Sequence, residues 1–180
     1  MTRMSDARVL ILATDGFEQS ELEVPRDRLR EAGARVDIAS PGGEAIRGWQ
    51  DGDWGRTVQV DLALAAVDAA SYDAIVLPGG QINPDKLRME ASAVALVKRF
   101  HDDGKVVAAI CHGPWLLVEA DLVRGRKVTS YKSIRTDLEN AGARWVDSEV
   151  VTDQRIITSR SPDDLDAFCA GLVEELEKGR

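Results

Sequence analysis

Apolar residues along this chain come in two arrangements. Short unbroken blocks such as Arg8 to Thr14 (RVLILAT), Asp73 to Leu77 (DAIVL) and Val106 to Ile110 (VVAAI) have strand length and no polar alternation. Strands of that kind are buried on both faces, as in parallel sheets covered by helices. Arg35 to Ala39, Lys127 to Ser130, Trp145-Val146, Val150 to Thr152 and Ile156 to Ser159 read as further strands, with Asp153-Gln154 as a turn. Between the blocks, apolar residues recur every three or four positions. This spacing predicts helices over Glu18 to Gly33, Pro84 to Asp103, Ile134 to Ala141 and a last one carrying Leu165, Phe168, Cys169, Leu172 and Leu176 on one face. Gly33, Gly104 and Gly142 stand where helices end. Pro25 is expected to kink the first helix. Ser161, Pro162 and Asp164 predict an N-cap, a first helical position and a capping box for the last.

Residues 41 to 60 break this rhythm. Six glycines and prolines punctuate short segments holding Trp49 and Trp54, and Asp51-Gly52 is a hairpin dipeptide. An antiparallel excursion near 43–60 follows, its two tryptophans suited either to a subunit interface or to covering the sheet edge. Strands alternating with helices give an α/β fold: a doubly wound, mostly parallel sheet with helices on both faces. A single domain over residues 1–180 is expected from the length. In such sheets ligands sit beyond the carboxyl ends of the strands. Three loops leave those ends, Asp15–Glu18, Pro78–Gln81 and Cys111–Pro114.

Composition narrows the chemistry. A net charge of −8 argues against nucleic acid as a partner, because phosphate binding needs clustered cations. No apolar run approaches the roughly 20 residues of a membrane span, and Met1 to Ala7 has no signal-peptide core, so a cytoplasmic protein without membrane contact is expected. Two cysteines and two histidines lack metal-ligand spacing. No phosphate loop or dinucleotide fingerprint is present. No cofactor and no metal are therefore expected. Cys169, in phase with buried leucines, reads as a core residue.

The stretch from Val106 to Leu117 stands apart. It runs from buried strand to apolar helix start, with Cys111 between Ala109 and Gly113. Small residues two positions either side mark a nucleophile elbow, a turn that lifts the central residue above the sheet. A cysteine before a helix N-terminus is favoured as thiolate. His112 is the only histidine placed to partner it, although neighbouring side chains at an elbow diverge. Glu18, just past the first strand, is the candidate carboxyl group: held protonated against sulfur, it would donate a hydrogen bond or shuttle protons. Glu21 and Glu23 lie further along the helix and are expected away from the sheet edge. Gly79 and Gly80, with the His112 N–H, are candidates for an oxyanion hole.

These pieces resemble the PfpI-like family, in the ThiJ/PfpI branch of the class I glutamine-amidotransferase-like superfamily. The resemblance lies in D-G-F-E-Q-S-E (15–21), V-L-P-G-G (76–80), A-I-C-H-G-P-W-L-L (109–117), R-G-R-K-V-T-S (124–130), N-A-G-A-R-W-V-D (140–147) and S-R-S-P-D-D-L (159–165). It implies a flavodoxin-like sandwich with Cys111 as nucleophile, Glu18 hydrogen-bonded to its sulfur, and Gly80 and His112 backbone groups binding an oxyanion. It further implies a homo-oligomer in which the histidine after the cysteine pairs with a neighbouring subunit's acid, a position that Asp85 matches. Glutaminases of the superfamily use a downstream histidine, and no histidine follows His112. Family members are described as cysteine peptidases, as glyoxalases or deglycases acting on methylglyoxal adducts, and as oxidant-sensing stress proteins. The resemblance thus leaves three readings. A stress-response enzyme acting on reactive carbonyls or their protein adducts comes first, followed by an oligomeric cysteine peptidase and a non-enzymatic redox sensor.

Overall fold

The computed structural model describes residues 3–179. The single-domain expectation also takes in Met1, Thr2 and Arg180, which lie outside the described residues. In chain order the strands are β1 (Arg8–Leu12), β2 (Phe17–Glu18), β3 (Arg35–Ser40), β4 (Ile46–Gln50), β5 (Asp53–Val58), β6 (Leu62–Ala63), β7 (Ala74–Leu77), β8 (Val106–Ile110), β9 (Lys127–Val128), β10 (Arg144–Trp145), β11 (Val151–Asp153) and β12 (Ile156–Ser159). The helices are α1 (Gln19–Glu31), α2 (Ile82–Leu87), α3 (Ala91–Asp102), α4 (Trp115–Glu119), α5 (Arg135–Asn140) and α6 (Leu165–Lys178).

Seven strands form the central sheet in the order β11-β12-β8-β7-β1-β3-β6. All its pairings are parallel except the β11–β12 hairpin. The unbroken apolar blocks are explained by what covers each face. Val9, Ile11, Val76, Ala108 and Ile110 point to one side, against Leu22 and Leu29 of α1 and Phe168, Leu172 and Leu176 of α6. Leu10, Leu12, Ile75, Leu77, Val107 and Ala109 point to the other, against Val97 and Phe100 of α3 and Leu116 and Leu117 of α4. Alternate residues of one strand thus feed two cores.

From β1 the chain builds outward through β3 and β6, then returns to β7 on the opposite side of β1. The β1/β7 boundary is therefore the switch in strand order, where a cleft opens beyond the carboxyl ends. The excursion is a three-stranded sheet, β2-β4-β5, with β4 and β5 antiparallel around Asp51 and Gly52. Both turn residues have positive φ, 53° and 82°, as a two-residue hairpin turn requires.

Several boundaries differ from the sequence pattern. The stretch Pro84 to Asp103 is two helices, α2 and α3, because Arg88 N–H closes on Pro84 and the chain turns through Met89 before restarting after Glu90. Helix α1 runs through Pro25 without a break; the missing N–H leaves only one rung of the ladder unmade. Ser161 and Asp164 form no capping box. Asp164 instead accepts from the Arg160 N–H at 3.0 Å and from its guanidinium, and a single 3-10 turn, Pro162–Asp164, leads into α6. The β11–β12 turn is Gln154-Arg155, both at positive φ, one residue later than the pattern placed it. The glycine stops hold: after Gly33, Gly104 and Gly142 the next N–H reaches back five residues, to Leu29, Phe100 and Leu138.

Candidate active site

Cys111 follows β8 in a left-handed conformation, φ 64°, rare for a residue with a side chain. The neighbouring backbone makes the bend possible. A Cβ at Gly113 would stand 2.5 Å from Leu77 O and 2.9 Å from Ile110 O, so only glycine fits two residues on. Cys111 N–H donates to Ser159 O and Tyr131 N–H donates to Cys111 O, tying the bend to β12 and to the turn after β9. The predicted elbow is present. The following helix, α4, is only five residues long and starts four residues later. The stabilisation expected from a helix N-terminus comes instead from single N–H groups: those of Gly80 and His112 point at the sulfur.

The carboxyl group at the sulfur belongs to Glu21, not Glu18. Glu21 is fully buried, lies against Cys111, and accepts from the Gly79 N–H at 2.8 Å through Oε2. Its Oε1 is buried without a hydrogen-bond partner. Glu18 caps α1 at the rim of the same cavity, half-buried, and its backbone N–H donates to Gly79 O at 3.3 Å. Helical phase is the reason for the exchange. Glu21, Leu22, Pro25 and Leu29 make up the inward stripe of α1, so the glutamate one turn into the helix is the one directed beneath the sheet edge.

Gly79 is required for that contact. A Cβ there would stand 2.6 Å from Cys111 Cβ and 2.7 Å from Ile110 O, and would also meet Glu21 Oε2. Since its N–H is spent on Glu21, Gly79 does not belong to an oxyanion hole, and the pair facing the sulfur is Gly80 and His112. Gly80, at φ 76°, turns the chain where a Cβ would meet Gly16 O and lie 2.8 Å from Glu18 N. Asn83 ties the two loops together. Buried in α2, it accepts from Thr14 N–H at 2.8 Å and donates to Pro78 O at 2.9 Å.

His112 also departs from the expectation that adjacent side chains diverge. Its Nδ1 lies 3.2 Å from Cys111 Sγ, and its Nε2 lies 3.0 Å from Ser133 Oγ. The left-handed Cys111 swings both side chains to one side. Tyr131 stacks on the imidazole at 4.9 Å and Trp115 meets it edge-on at 5.1 Å. Asp85 makes no bond to His112 of its own chain; it lines an open groove beyond that ring, with Ser133, Trp115 and Asp137, and the pairing that the resemblance implies is with the acid of a neighbouring subunit. His101 lies elsewhere, against Arg126.

Electrostatics follow from burial. Desolvation, then the nearby Glu18 charge, outweighs the Gly79 hydrogen bond and raises Glu21 to about 8, so it is protonated at neutral pH. The thiolate expected from the sequence is not favoured: burial and the Glu21 carboxyl push the Cys111 thiol up, and the opposing Gly80 and His112 N–H groups do not offset them. Burial lowers His112, leaving a neutral imidazole beside the thiol. Glu18 is raised more mildly by burial and Asp51. The result is a thiol with a base on one side, a carboxylic acid on the other and two N–H donors at the sulfur.

These groups open into a cavity of about 500 Å³ whose walls include Trp49, Ile82, Tyr131 and Pro162. Trp49 pairs with Trp54 across the hairpin, rings edge-on at 5.4 Å; it walls the cavity while Trp54 is 40 % exposed. No cluster of three metal-ligating side chains occurs among the described residues, and no helix among them is long and apolar enough to cross a membrane.

Three residues of this site were missed or misplaced by the sequence pattern. Ser133 and Asn83 carry no pattern that marks them. Glu21 did carry one: an acid in phase with buried leucines.

Known proteins resemble this chain over nearly its whole length. A deglycase of Thermococcus kodakarensis is 47 % identical over 169 residues, covering 94 % of this chain and 99 % of that protein. A protein/nucleic acid deglycase of Escherichia coli is 44 % identical over 163 residues, covering 89 % and 92 %. The crystal structure of Drosophila melanogaster DJ-1beta superposes with a TM-score of 0.86 at 32 % identity, covering 95 % of this chain and 90 % of that one. The DJ-1/PfpI family model matches residues 7–175, and the chain belongs to that family.

Proposed function

We propose that this protein is a cysteine-dependent deglycase of the stress response, releasing amines from the adducts they form with small dicarbonyls such as methylglyoxal. The observation that carries the reading is Glu21. A carboxylic acid kept neutral by burial, against the sulfur of Cys111, is a group suited to moving protons between neighbouring carbons. The deglycase names of the relatives support the same substrate class.

The chemistry balances without a cofactor. The adduct R–NH–CH(OH)–CO–CH₃ enters the cavity. The thiol proton of Cys111 passes to His112 Nδ1 as sulfur bonds to the carbinol carbon. The C–N bond breaks, and the amine leaves with that proton. A hemithioacetal, S–CH(OH)–CO–CH₃, remains on Cys111. Glu21 gives its proton to the ketone oxygen as it takes the proton of the first carbon, forming the enediol; it then protonates the second carbon as it takes the proton of the first carbon's hydroxyl, giving the thioester S–CO–CH(OH)–CH₃. Developing oxygen charge is met by the N–H groups of Gly80 and His112. Water cleaves the thioester to lactate and restores the thiol. Free methylglyoxal would enter the same path by direct addition of sulfur to its aldehyde.

The test uses purified protein and N-acetylarginine pre-reacted with methylglyoxal, following lactate and recovered amine. The reading requires lactate formation that disappears in Cys111→Ala. Lactate at the same rate in both proteins would refute it.

A peptidase is the second reading, favoured by the 3.2 Å Cys111–His112 pairing that an activated thiol requires. It demands Cys111-dependent cleavage of a fluorogenic peptide, measured on whatever oligomer the protein forms.

A further inference from the structure

We propose that Ser133 is a positioning residue: its hydroxyl holds His112 with the proton on Nε2, so that Nδ1 faces Cys111 bare and takes the thiol proton. The inference rests on the Cys111-dependent reading above for its kinetic consequence.

The geometry leaves the ring few choices. His112 is 4 % exposed and fixed between Tyr131 and Trp115. Its two nitrogens have one partner each, Sγ at 3.2 Å and Ser133 Oγ at 3.0 Å. A neutral imidazole carries one proton. If it sat on Nδ1, the nitrogen beside the thiol would have no lone pair to receive the S–H proton. Placed on Nε2, it donates to Ser133, and Nδ1 accepts from sulfur. The hydroxyl serves both stages. When the S–H bond breaks and an N–H bond forms at Nδ1, the resulting imidazolium still donates from Nε2 to the same oxygen.

Ser133 is placed for this by its turn. Lys132–Ile134 is a 3-10 turn held inward by buried Ile134, and Tyr131 N–H donates to Cys111 O at 2.8 Å. The serine is thus anchored to the cysteine's own backbone. The charged groups around the ring do not take its place. Asp137 of α5 is engaged by the Trp115 indole N–H at 2.9 Å. Within the chain Asp85 of α2 lines the groove without bonding the ring, Lys132 opens the turn and Arg135 follows it, and Glu21 lies on the sulfur side. A hydroxyl in this position, where a carboxylate would raise the imidazole's proton affinity, keeps His112 neutral and able to accept a proton at neutral pH.

The experiment combines ¹⁵N NMR of the His112 imidazole with lactate kinetics over pH for wild type, Ser133→Ala, Ser133→Thr and Ser133→Asp. The wild-type spectrum is expected to show the proton on Nε2. Ser133→Ala is expected to mix the tautomers and lower kcat about tenfold, the scale of one hydrogen bond to a group that becomes charged, with KM little changed. Ser133→Thr is expected to restore both. Ser133→Asp is expected to move the acid limb of kcat up by about one pH unit. A wild-type proton on Nδ1, or a Ser133→Ala protein with unchanged kcat and pH profile, overturns the proposal. Should wild type give no Cys111-dependent lactate, the deglycase reading fails alone, and the NMR spectrum of the wild-type protein still decides the tautomer. Should Ser133→Ala not fold, that spectrum and the Thr and Asp variants decide it.

Discussion

Gly79 gives its backbone N–H to Glu21 at 2.8 Å, and the absence of a side chain on Gly79 lets that carboxyl group reach the sulfur of Cys111. One glycine thus provides both a donor and a passage. The arrangement assigns proton transfer to Glu21 and leaves Glu18 at the rim. Glu21→Gln preserves the shape and the acceptor for Gly79 but cannot exchange a proton. Its lactate-forming kcat is expected to fall by about 10²-fold or more. Glu18→Gln should remain within about twofold of wild type, as is usual for a substitution that leaves the reacting groups in place. Parallel assays of the two variants check the assignment; a larger loss in Glu18→Gln would reverse it.

Burial of Glu21 also predicts a pH-dependent stability. In the folded chain its carboxyl holds a proton up to about pH 8, whereas exposed on unfolding it would release it near 4.5. Below the lower value both states are protonated, and the contribution is fully present. Between the two the folded state binds one proton more, so this contribution declines as pH rises, and it is lost above about 8. Wild-type melting temperature should therefore drop relative to that of Glu21→Gln from pH 5 to pH 8 and then run parallel to it. Thermal melts of both proteins across that range are the measurement. A constant difference would mean that Glu21 is not protonated in the fold.

The fold was legible in the sequence because its main signals are local. Blocks such as Val106 to Ile110 can be satisfied only by covering both faces of a strand, and Gly33, Gly104 and Gly142 each close a helix by positive φ. The elbow was legible for the same reason, since Ala109, Cys111 and Gly113 are neighbours in the chain. Glu21 was misplaced because its role depends on phase. Position along α1 made it look remote, while rotation about the helix axis brings it under the sheet edge. Ser133 and Asn83 were not legible, because each acts on a partner that only the tertiary fold brings near: Asn83 meets Thr14 across 69 residues. The length of the helix after Cys111 and the break at Met89 depend on loop geometry that apolar periodicity does not encode.

Gly79 has no room for a side chain. Gly79→Ala forces a methyl group against Cys111 Cβ, Ile110 O and the Glu21 carboxyl at once. None of these is the free end of a flexible side chain, since Glu21 is itself packed and bonded. Destabilisation of about 1–3 kcal/mol is expected, the usual scale for overpacking a buried site, together with loss of lactate formation. Denaturant titration of the variant measures the first and the methylglyoxal-adduct assay the second. Wild-type values of both would show that the passage is wider than the backbone indicates.

Besides its pairing with β2, the hairpin that carries Trp49 over the cavity is tied to α1 by a buried side chain. Gln19, buried at the start of α1, accepts the Arg56 N–H at 2.8 Å. Its Oε1 lies in the space above Gly48 and Gly55, where a Cβ on either residue would collide with it. Glycine on both strands therefore admits the glutamine as a bolt between helix and hairpin. Gln19→Ala removes an acceptor from a part-buried N–H, at a cost of about 1–3 kcal/mol. It also removes Nε2, a buried donor without a partner of its own, and that offsets part of the loss. The net destabilisation should be near 1 kcal/mol. The larger effect is local. Amide exchange over β4 and β5 should quicken, and KM for the adduct should rise as Trp49 loses its fixed place at the cavity wall, with kcat less affected because Cys111, His112 and Glu21 do not contact the hairpin's bolt. Hydrogen exchange by mass spectrometry, read alongside KM and kcat, distinguishes this from general unfolding, which would quicken exchange in β7 and β8 as well.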